Sequence, residues 1–492
     1  MNQERVATIL RERIVPQPME SEFPAGEPFR LVSGCRLILS TPYPAPELTE
    51  LVNRLCLENW GIDPAIVPET GPFDLPAGGY ELDVDSGRIE LRAADAAGIR
   101  HAFATLRQLA EPVSAVPSYA GDILAPARVR DWPSTGFRGV HLCWFPETRA
   151  FEIERMIRLA ACYKFNAVVI EPWGVFPFDS HPEIGWPEHR VDRDEFARLI
   201  RVGRELGLEM IPQLNLLGHG SGARVLSGKH MLLDRHPELR VLQEPDGWSW
   251  CLSNPATRSL LRDLVLELYD FFGSPACFHL GCDEAYNLGS CASCRSRDLE
   301  ELVLEHLTFF RNLLAERNCR AIIWHDMLLR KDDPRWKGYT ACGTREDGLE
   351  NLYRSLPRDL IIADWQYGAP PDGERPVWPT AKFFKEAGFD VVVCPWINEN
   401  GTLSLGAMAA REKLAGVLAT SWHKCSGINL FKIFFFGAQA AWNGSYSGLR
   451  EWSGAVQQFN RHLRQIAWEQ GREAYPETGS CTAQLPEETL PD

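Results

Sequence analysis

No stretch of this 492-residue chain approaches the ~20 consecutive apolar residues that a membrane-spanning helix needs. Positive charge is also scarce: 51 Lys and Arg stand against 66 Asp and Glu, a formal net charge of -15. Nucleic acids and anionic membrane surfaces both select for basic patches, so no nucleic acid and no membrane is expected as a partner. The opening MNQERVATILRERIVPQ mixes acids and bases without an apolar run followed by small residues. A secretory signal is therefore not expected, and the chain reads as cytoplasmic. No glycine-rich phosphate turn follows an early strand, which counts against a doubly wound nucleotide-binding sheet. No repeat of fixed period is visible, which excludes solenoids and propellers. The fourteen cysteines are scattered, and Cys143, Cys162, Cys277 and Cys394 lie inside apolar runs, so buried thiols are expected rather than a disulfide framework.

The chain is too long for one hydrophobic core, so a large domain with a smaller companion is expected. Residues 1–25 read as a lead-in. Over 26–125 the segments FRLVSGCRLILS, YELDVDSGRIELRA and AAGIRHAFATLRQLA give strands and then a helix, with Ser86-Gly87 in a hairpin turn: a small α+β domain. From 126 to 455 short apolar runs alternate with amphipathic stretches. Eight runs are strand candidates: 137–144, 165–173, 208–215, 277–284, 320–327, 360–367, 390–397 and 416–423. Helix-like segments at 151–164, 192–207, 255–272 and 297–318 lie between them. Eight such units predict an α/β fold, a closed (β/α)8 TIM barrel preceded by the α+β domain. Residues 456–492 read as a C-terminal helix and a mobile tail rich in Glu, Pro and Thr.

In a barrel of this kind the site is assembled at the C-terminal ends of the strands. Those ends deliver Trp144, Glu171 with Trp173, Asn215, Asp283 with Glu284, Trp324 with Asp326, Trp365 with Tyr367, Trp396 and Trp422. One strand-end tryptophan is ordinarily core, but six on one rim are not. Indole planes pack on the flat C–H faces of pyranose rings, while carboxylates and amides bond the hydroxyl edges. The rim therefore suits a sugar, with Glu171, Asn215, His219, Asp283, Glu284 and Asp326 as polar contacts. An aromatic cage for a cation would leave those hydrogen-bonding groups unexplained.

The stretch FHLGCDE (278–284) resembles the H-x-G-G-D-E signature of family 20 glycoside hydrolases, the β-N-acetylhexosaminidases, with Cys282 at the second glycine. FRG (137–139), P-x-x-N-x-x-G-H (212–219) and W-x-D (324–326) follow in the family's order, and GCDEAYNLG, WHDML and IEPWGVFP are similar to the intracellular branch typified by hexosaminidase D. The resemblance covers about 125–445, and the domain before it resembles the family's non-catalytic one. It implies an exo-β-N-acetylhexosaminidase that removes terminal non-reducing β-linked N-acetylgalactosamine or N-acetylglucosamine, leaning to the galacto sugar. Ordinary glycosidases place two carboxylates ~5–9 Å apart on opposite sides of the sugar, which adjacent residues do not do. The family instead uses the substrate's 2-acetamido oxygen as nucleophile, so one protein acid suffices and no cofactor is needed.

By resemblance, Glu284 protonates the glycosidic oxygen and later deprotonates water, and Asp283 holds the acetamide N–H. Glu284 must carry a proton to act as an acid, which calls for an apolar wall that Trp324 and Trp365 could form. Arg138 matches the family arginine on the 3- and 4-hydroxyls, His219 the histidine near the acid, and Tyr286 or Tyr367 is a candidate for the acetamide oxygen. Adjacent strand residues face opposite ways, so the strand must end or bulge at Asp283 for both carboxylates to share a pocket. The chain departs from the family at Asn215, where an acid is usual, at Cys394-Pro395-Trp396, and at Trp422-His423-Lys424. Cys291-x-x-Cys294, with Cys282 nearby, has part of a zinc spacing; a second CxxC is missing and the expectation is no bound metal. Expected partners are a carbohydrate or glycoconjugate and, in a homodimer, a second copy of the chain. The alternatives are a sugar-binding barrel without catalysis and a conventional retaining β-glycosidase.

Overall fold

The computed structural model describes residues 3–111, 121–185, 188, 190–220, 235–344, 348–368, 377–423, 426–444 and 452–470. The expected mobile tail at 471–492 and Lys424 lie outside them. The first domain contains strands β1 (Glu20–Glu22), β2 (Phe29–Arg30), β3 (Arg36–Thr41), β4 (Ala65–Thr70), β5 (Tyr80–Val84), β6 (Ile89–Ala93), β7 (Ile123–Leu124) and β8 (Ala127–Asp131). Six of them form one sheet in the order β1-β8-β5-β6-β3-β4, covered by helices α2 (Pro46–Trp60) and α3 (Ala96–Leu109). The β5–β6 hairpin turns at Asp85, whose carboxylate accepts from Gly87 N and Arg88 N. The sheet draws on both sides of the expected boundaries. Strand β1 comes from the lead-in, and β8, beyond 125, pairs with β1 and β5. Helix α1 (Gln3–Arg13) packs against α3 and the C-terminal helix (Trp452–Glu469), which carries the chain back to its start.

The barrel strands are β9 (Phe137–Trp144), β10 (Ala167–Pro172), β11 (Glu209–Pro212), β12 (Cys277–His279), β13 (Arg320–Trp324), β14 (Ile361–Trp365), β15 (Asp390–Cys394) and β16 (Gly416–Thr420). They pair in parallel in the order β11-β10-β9-β16-β15-β14-β13-β12. The bridge Gln213↔His279 and the bond from Leu214 N to His279 O at 3.0 Å close the ring. All eight expected runs are barrel strands, and all are apolar on both faces because helices cover the outside and side chains fill the inside. Val140, Leu142, Trp144, Val168 and Ile170 pack outward in the main core. Ala167, Val169, Ile211, Ile322, Trp324, Ala363, Val392 and Leu418 fill the interior. Among the intervening helices, α4 (Ala150–Cys162), α5 (Arg193–Glu205), α6 (Pro255–Phe271) and α7 (Leu299–Ala315), the starts of α5, α6 and α7 are capped by Asp192, Asn254 and Asp298. No helix among the described residues is long and apolar enough to cross a membrane.

A buried polar cluster joins the two domains. Lys164 Nζ lies 2.7 Å from Asp131 Oδ2, and both side chains are fully buried. Asp131 also accepts from Tyr80 Oη, Trp442 Nε1, Met19 N and Trp132 N. Arg138 lies beside this cluster, its guanidinium over the Trp442 ring and donating to Lys164 O, Thr135 O and Gly136 O.

Candidate active site

Pairing of β12 stops at His279, five residues before the expected end at Glu284. The backbone then enters the left-handed region at Gly281 (φ 64), Cys282 (φ 79) and Glu284 (φ 43). These turns break the two-residue alternation of a strand, so adjacent carboxylates face one partner. His219 Nε2 lies 3.4 Å from Asp283 Oδ2 and 3.5 Å from Glu284 Oε2. The turn fits only because two positions lack side chains. A Cβ on Gly281 would lie 1.9 Å from Asn215 Oδ1, and one on Gly218 would lie 2.3 Å from Asp283 O.

Each group at this centre is held from a different strand end. Glu284 N donates to Asp326 Oδ2 at 2.9 Å, and Tyr286 Oη donates to Glu284 Oε1 at 3.1 Å. Asp326 Oδ1 accepts from Trp365 Nε1 at 3.1 Å. Burial, and then the Asp283 charge, raise the Asp326 carboxyl to about 6. For His219 burial alone favours the neutral ring, but the Asp283 carboxylate, with Glu171 and Glu284, outweighs it and the net shift is upward. Asp283 Oδ1 is buried without a hydrogen-bond partner among the described residues. Glu171 is enclosed: Oε1 accepts from Asn215 Nδ2 at 2.6 Å, and Oε2 lies 3.0 Å from His141 Nε2 and 3.3 Å from Cys143 Sγ. Burial pushes its carboxyl up, and the His141 bond and charge bring it below the ordinary value. Glu171 makes no hydrogen bond to His219, whose Nδ1 has no partner among the described residues.

The rings surround these carboxylates. Trp324, 1% exposed, lies between His279 and Trp422 with centroids 4.2 and 5.3 Å away. Trp365 and Tyr367 stack at 5.4 Å, and Trp396 follows 5.4 Å beyond Tyr367. Trp422, at φ 44, lies 5.1 Å from His141 and 6.2 Å from Trp365. Trp173 meets His219 edge-on at 5.5 Å.

The chain matches two models in succession, "Glycosyl hydrolase family 20, domain 2" over residues 11–132 and "Glycosyl hydrolase family 20, catalytic domain" over 189–396. Together they span about two thirds of its length. The chain belongs to glycosyl hydrolase family 20. It is similar to a β-N-acetylhexosaminidase of Cellulomonas fimi, 26% identical over 316 residues that make up 56% of this chain and 60% of that protein. The match thus spans less than two thirds of that relative. It is also similar to hexosaminidase D of Bos taurus, 23% identical over 290 residues, 53% of this chain and 76% of that one. The crystal structure of the β-N-acetylhexosaminidase from Bacteroides fragilis superposes with a TM-score of 0.67 at 18% identity, covering 93% of this chain and 95% of that one. At that identity the likeness speaks for the fold.

Within this family 20 fold, three expected site residues are placed elsewhere. Arg138 sits at the N-terminal start of β9, turned outward, so it reaches the domain interface instead of sugar hydroxyls. Trp144, at the C-terminal end of the same strand, shares its outward parity with Val140 and Leu142 and stacks on Phe196 of α5 at 4.6 Å. Cys282 is not grouped with Cys291 and Cys294; its Sγ donates to Leu280 O inside the turn. The structure also adds residues. Trp248, from the loop before α6, donates Nε1 to Glu284 O at 2.6 Å and packs 4.5 Å from His219. Its signal was the W-S-W triplet at 248–250, which lies far from any strand end. His141 and Cys143 face inward on β9 and are the partners of Glu171.

Proposed function

We propose that this family 20 protein is an exo-β-N-acetylhexosaminidase that works with retention through the acetamide of its own substrate. The observation that carries the reading is the shared orientation of Asp283 and Glu284 towards one histidine, with Asp283 Oδ1 buried and unsatisfied among the described residues. An unpaired carboxylate oxygen inside a protein calls for a donor. The N–H of a 2-acetamido group is such a donor, and bonding it there would turn the acetamide oxygen toward C1. Glu284, with one oxygen on Tyr286 and the other near His219, is the acid that protonates the leaving oxygen and then accepts a proton from water. Asp326 and Glu171 are both engaged by internal donors, which speaks against either as a direct nucleophile. Trp365, Tyr367, Trp396 and Trp422 supply the apolar wall for the pyranose, and Trp324 lies beneath them. Tyr367 or Tyr286 takes the acetamide oxygen.

The sugar preferred in this reading is N-acetylgalactosamine, because the eighth strand ends in Trp422-His423 without a carboxylate for an equatorial hydroxyl. The names of the Cellulomonas fimi and Bos taurus relatives support a hexosaminidase. The test measures kcat/KM on nitrophenyl β-N-acetylgalactosaminide, its gluco epimer, and the same glycosides with hydroxyl in place of acetamide. Turnover of the acetamido sugars, absent for the hydroxyl analogues and lost in Glu284→Gln, is expected. Equal turnover of the hydroxyl analogues would identify a conventional retaining glycosidase. Binding without turnover would identify a sugar-binding barrel.

A further inference from the structure

We infer that Glu244, Cys251, Cys291 and Cys294 form a tetrahedral zinc site that fastens the loop before α6 to the loop carrying Glu284 and Tyr286. One ligand atom from each of the four lies within 4.8 Å of the others. Cys251 Sγ is 3.5 Å from Cys291 Sγ and 3.7 Å from Cys294 Sγ. With Zn–S bonds of ~2.3 Å, tetrahedral geometry sets S···S edges of ~3.8 Å, so Cys251 Sγ already stands at ligand spacing from both of the other sulfurs. A disulfide needs ~2.05 Å, and joining any two of the three thiols would strand the third beside a carboxylate.

Glu244 gives the second, independent indication. It is fully buried, and among the described residues the donors to its carboxylate are neutral: Gly289 N at 3.2 Å, Ser290 Oγ at 3.3 Å, Cys291 N at 2.5 Å and the Cys294 thiol. Among the described residues it has no ion pair. A buried carboxylate without a counter-charge is costly, and a divalent cation supplies one. The bonds from Gly289, Ser290 and Cys291 fix the carboxylate as outer hydrogen bonds fix metal ligands, and Cys294 N donates to Cys291 Sγ at 3.3 Å. Three sulfurs and one oxygen fill four positions, three of the four residues being buried, so the ion is enclosed and structural.

The ion would cross-link chain segments some forty residues apart that share other hydrogen bonds besides those to Glu244. Trp248 donates to Glu284 O, Ser249 Oγ to Tyr286 O at 2.8 Å, and Asn287 Nδ2 to Asp246 Oδ2 at 2.8 Å. Zinc therefore positions Tyr286 and the Glu284 backbone and takes no part in proton transfer.

The full chain, purified under reducing conditions, is assayed for zinc by mass spectrometry and reconstituted with cobalt. One zinc per chain and an intense sulfur-to-cobalt charge-transfer band with tetrahedral visible bands are expected. Cys291→Ser combined with Cys294→Ser should retain ~10% or less of the zinc. Glu244→Gln, which keeps all three thiols, should retain the charge-transfer band and lose zinc to a chelator at least ~10-fold more readily. A chain that neither carries zinc nor takes it up, a cobalt form without the thiolate band, undiminished zinc in the double variant, or a disulfide among the three cysteines would overturn the assignment.

Discussion

Asp326→Asn should separate activity from stability. In the parent, Asp326 is fully buried and each carboxylate oxygen accepts one N–H, from Glu284 and from Trp365. Burial and the Asp283 charge raise the carboxyl from its ordinary 3.8 to about 6. Holding it ionised at neutral pH therefore costs about 3 kcal/mol of folding free energy. The native state binds this proton more tightly than the unfolded chain does. The cost is thus absent below the unfolded value and grows as pH rises through about 6. The amide carries no charge, so the substitution removes that cost. It introduces another, because an amide has one oxygen and one NH2, and in either orientation one buried N–H faces a donor; this costs ~1–3 kcal/mol. The two effects offset, and stability at neutral pH should stay within ~2 kcal/mol of the parent. Catalysis has no such offset, since the lost bond fixes either the Glu284 backbone or the Trp365 ring. A fall of ~10–100-fold in kcat/KM is expected. Steady-state kinetics and thermal unfolding on both sides of pH 6 provide the assay. The parent's activity should decline below about pH 6 as Asp326 takes up its proton, and this limb should be missing from the variant. Parental kcat/KM in the variant, or an unchanged acid limb, would refute the reasoning.

Three further outcomes follow from contacts described above. Asp131→Ala leaves the Lys164 ammonium buried with, among the described residues, only Tyr80 Oη and two ring faces, and should cost ~3–5 kcal/mol in urea unfolding. Lys164→Met leaves Asp131 four other donors and should cost less than half as much; the reverse order would contradict the account. The upward shift of His219 means that its contribution to stability is complete below its unfolded value and fades as pH rises through the folded one. The difference in thermal midpoint between parent and His219→Gln should accordingly shrink with rising pH, and a growing difference would refute the pairing with Asp283. Finally, Trp144→Ala should lose ~3–5 kcal/mol of stability with little change in KM, whereas Trp396→Ala, which removes a partly buried ring, should raise KM and lose less stability than Trp144→Ala.

The barrel was legible because each strand is an apolar run of roughly strand length, and the eight runs stay in order. Their ends were not. The expected strands at 320–327, 360–367 and 390–397 end at Trp324, Trp365 and Cys394, and the residues beyond, Met327, Tyr367, Trp396 and Ile397 among them, leave the sheet. Side-chain parity was equally hidden. In β9 both faces are buried, so composition does not distinguish outward Trp144 from inward His141 and Cys143. Asp283 and Glu284 were recognisable as an adjacent pair, but their shared direction depends on three left-handed residues that no spacing rule encodes. Trp248, Glu244 and Cys251 escaped notice because they lie on a loop whose partner in space, 284–294, is distant in sequence.

The fit between Gly281 and Asn215 has a consequence for redesign. Asn215 Oδ1 occupies the place where a side chain on residue 281 would begin, and its main chain stands close behind, so trimming Asn215 alone would not make room. The two positions behave as a single steric unit. A library that varies residue 215 to retune the polar lining can do so only while 281 stays glycine. Any variant carrying a side chain at 281 would have to move the third strand's loop, and Asp283 and Glu284 with it.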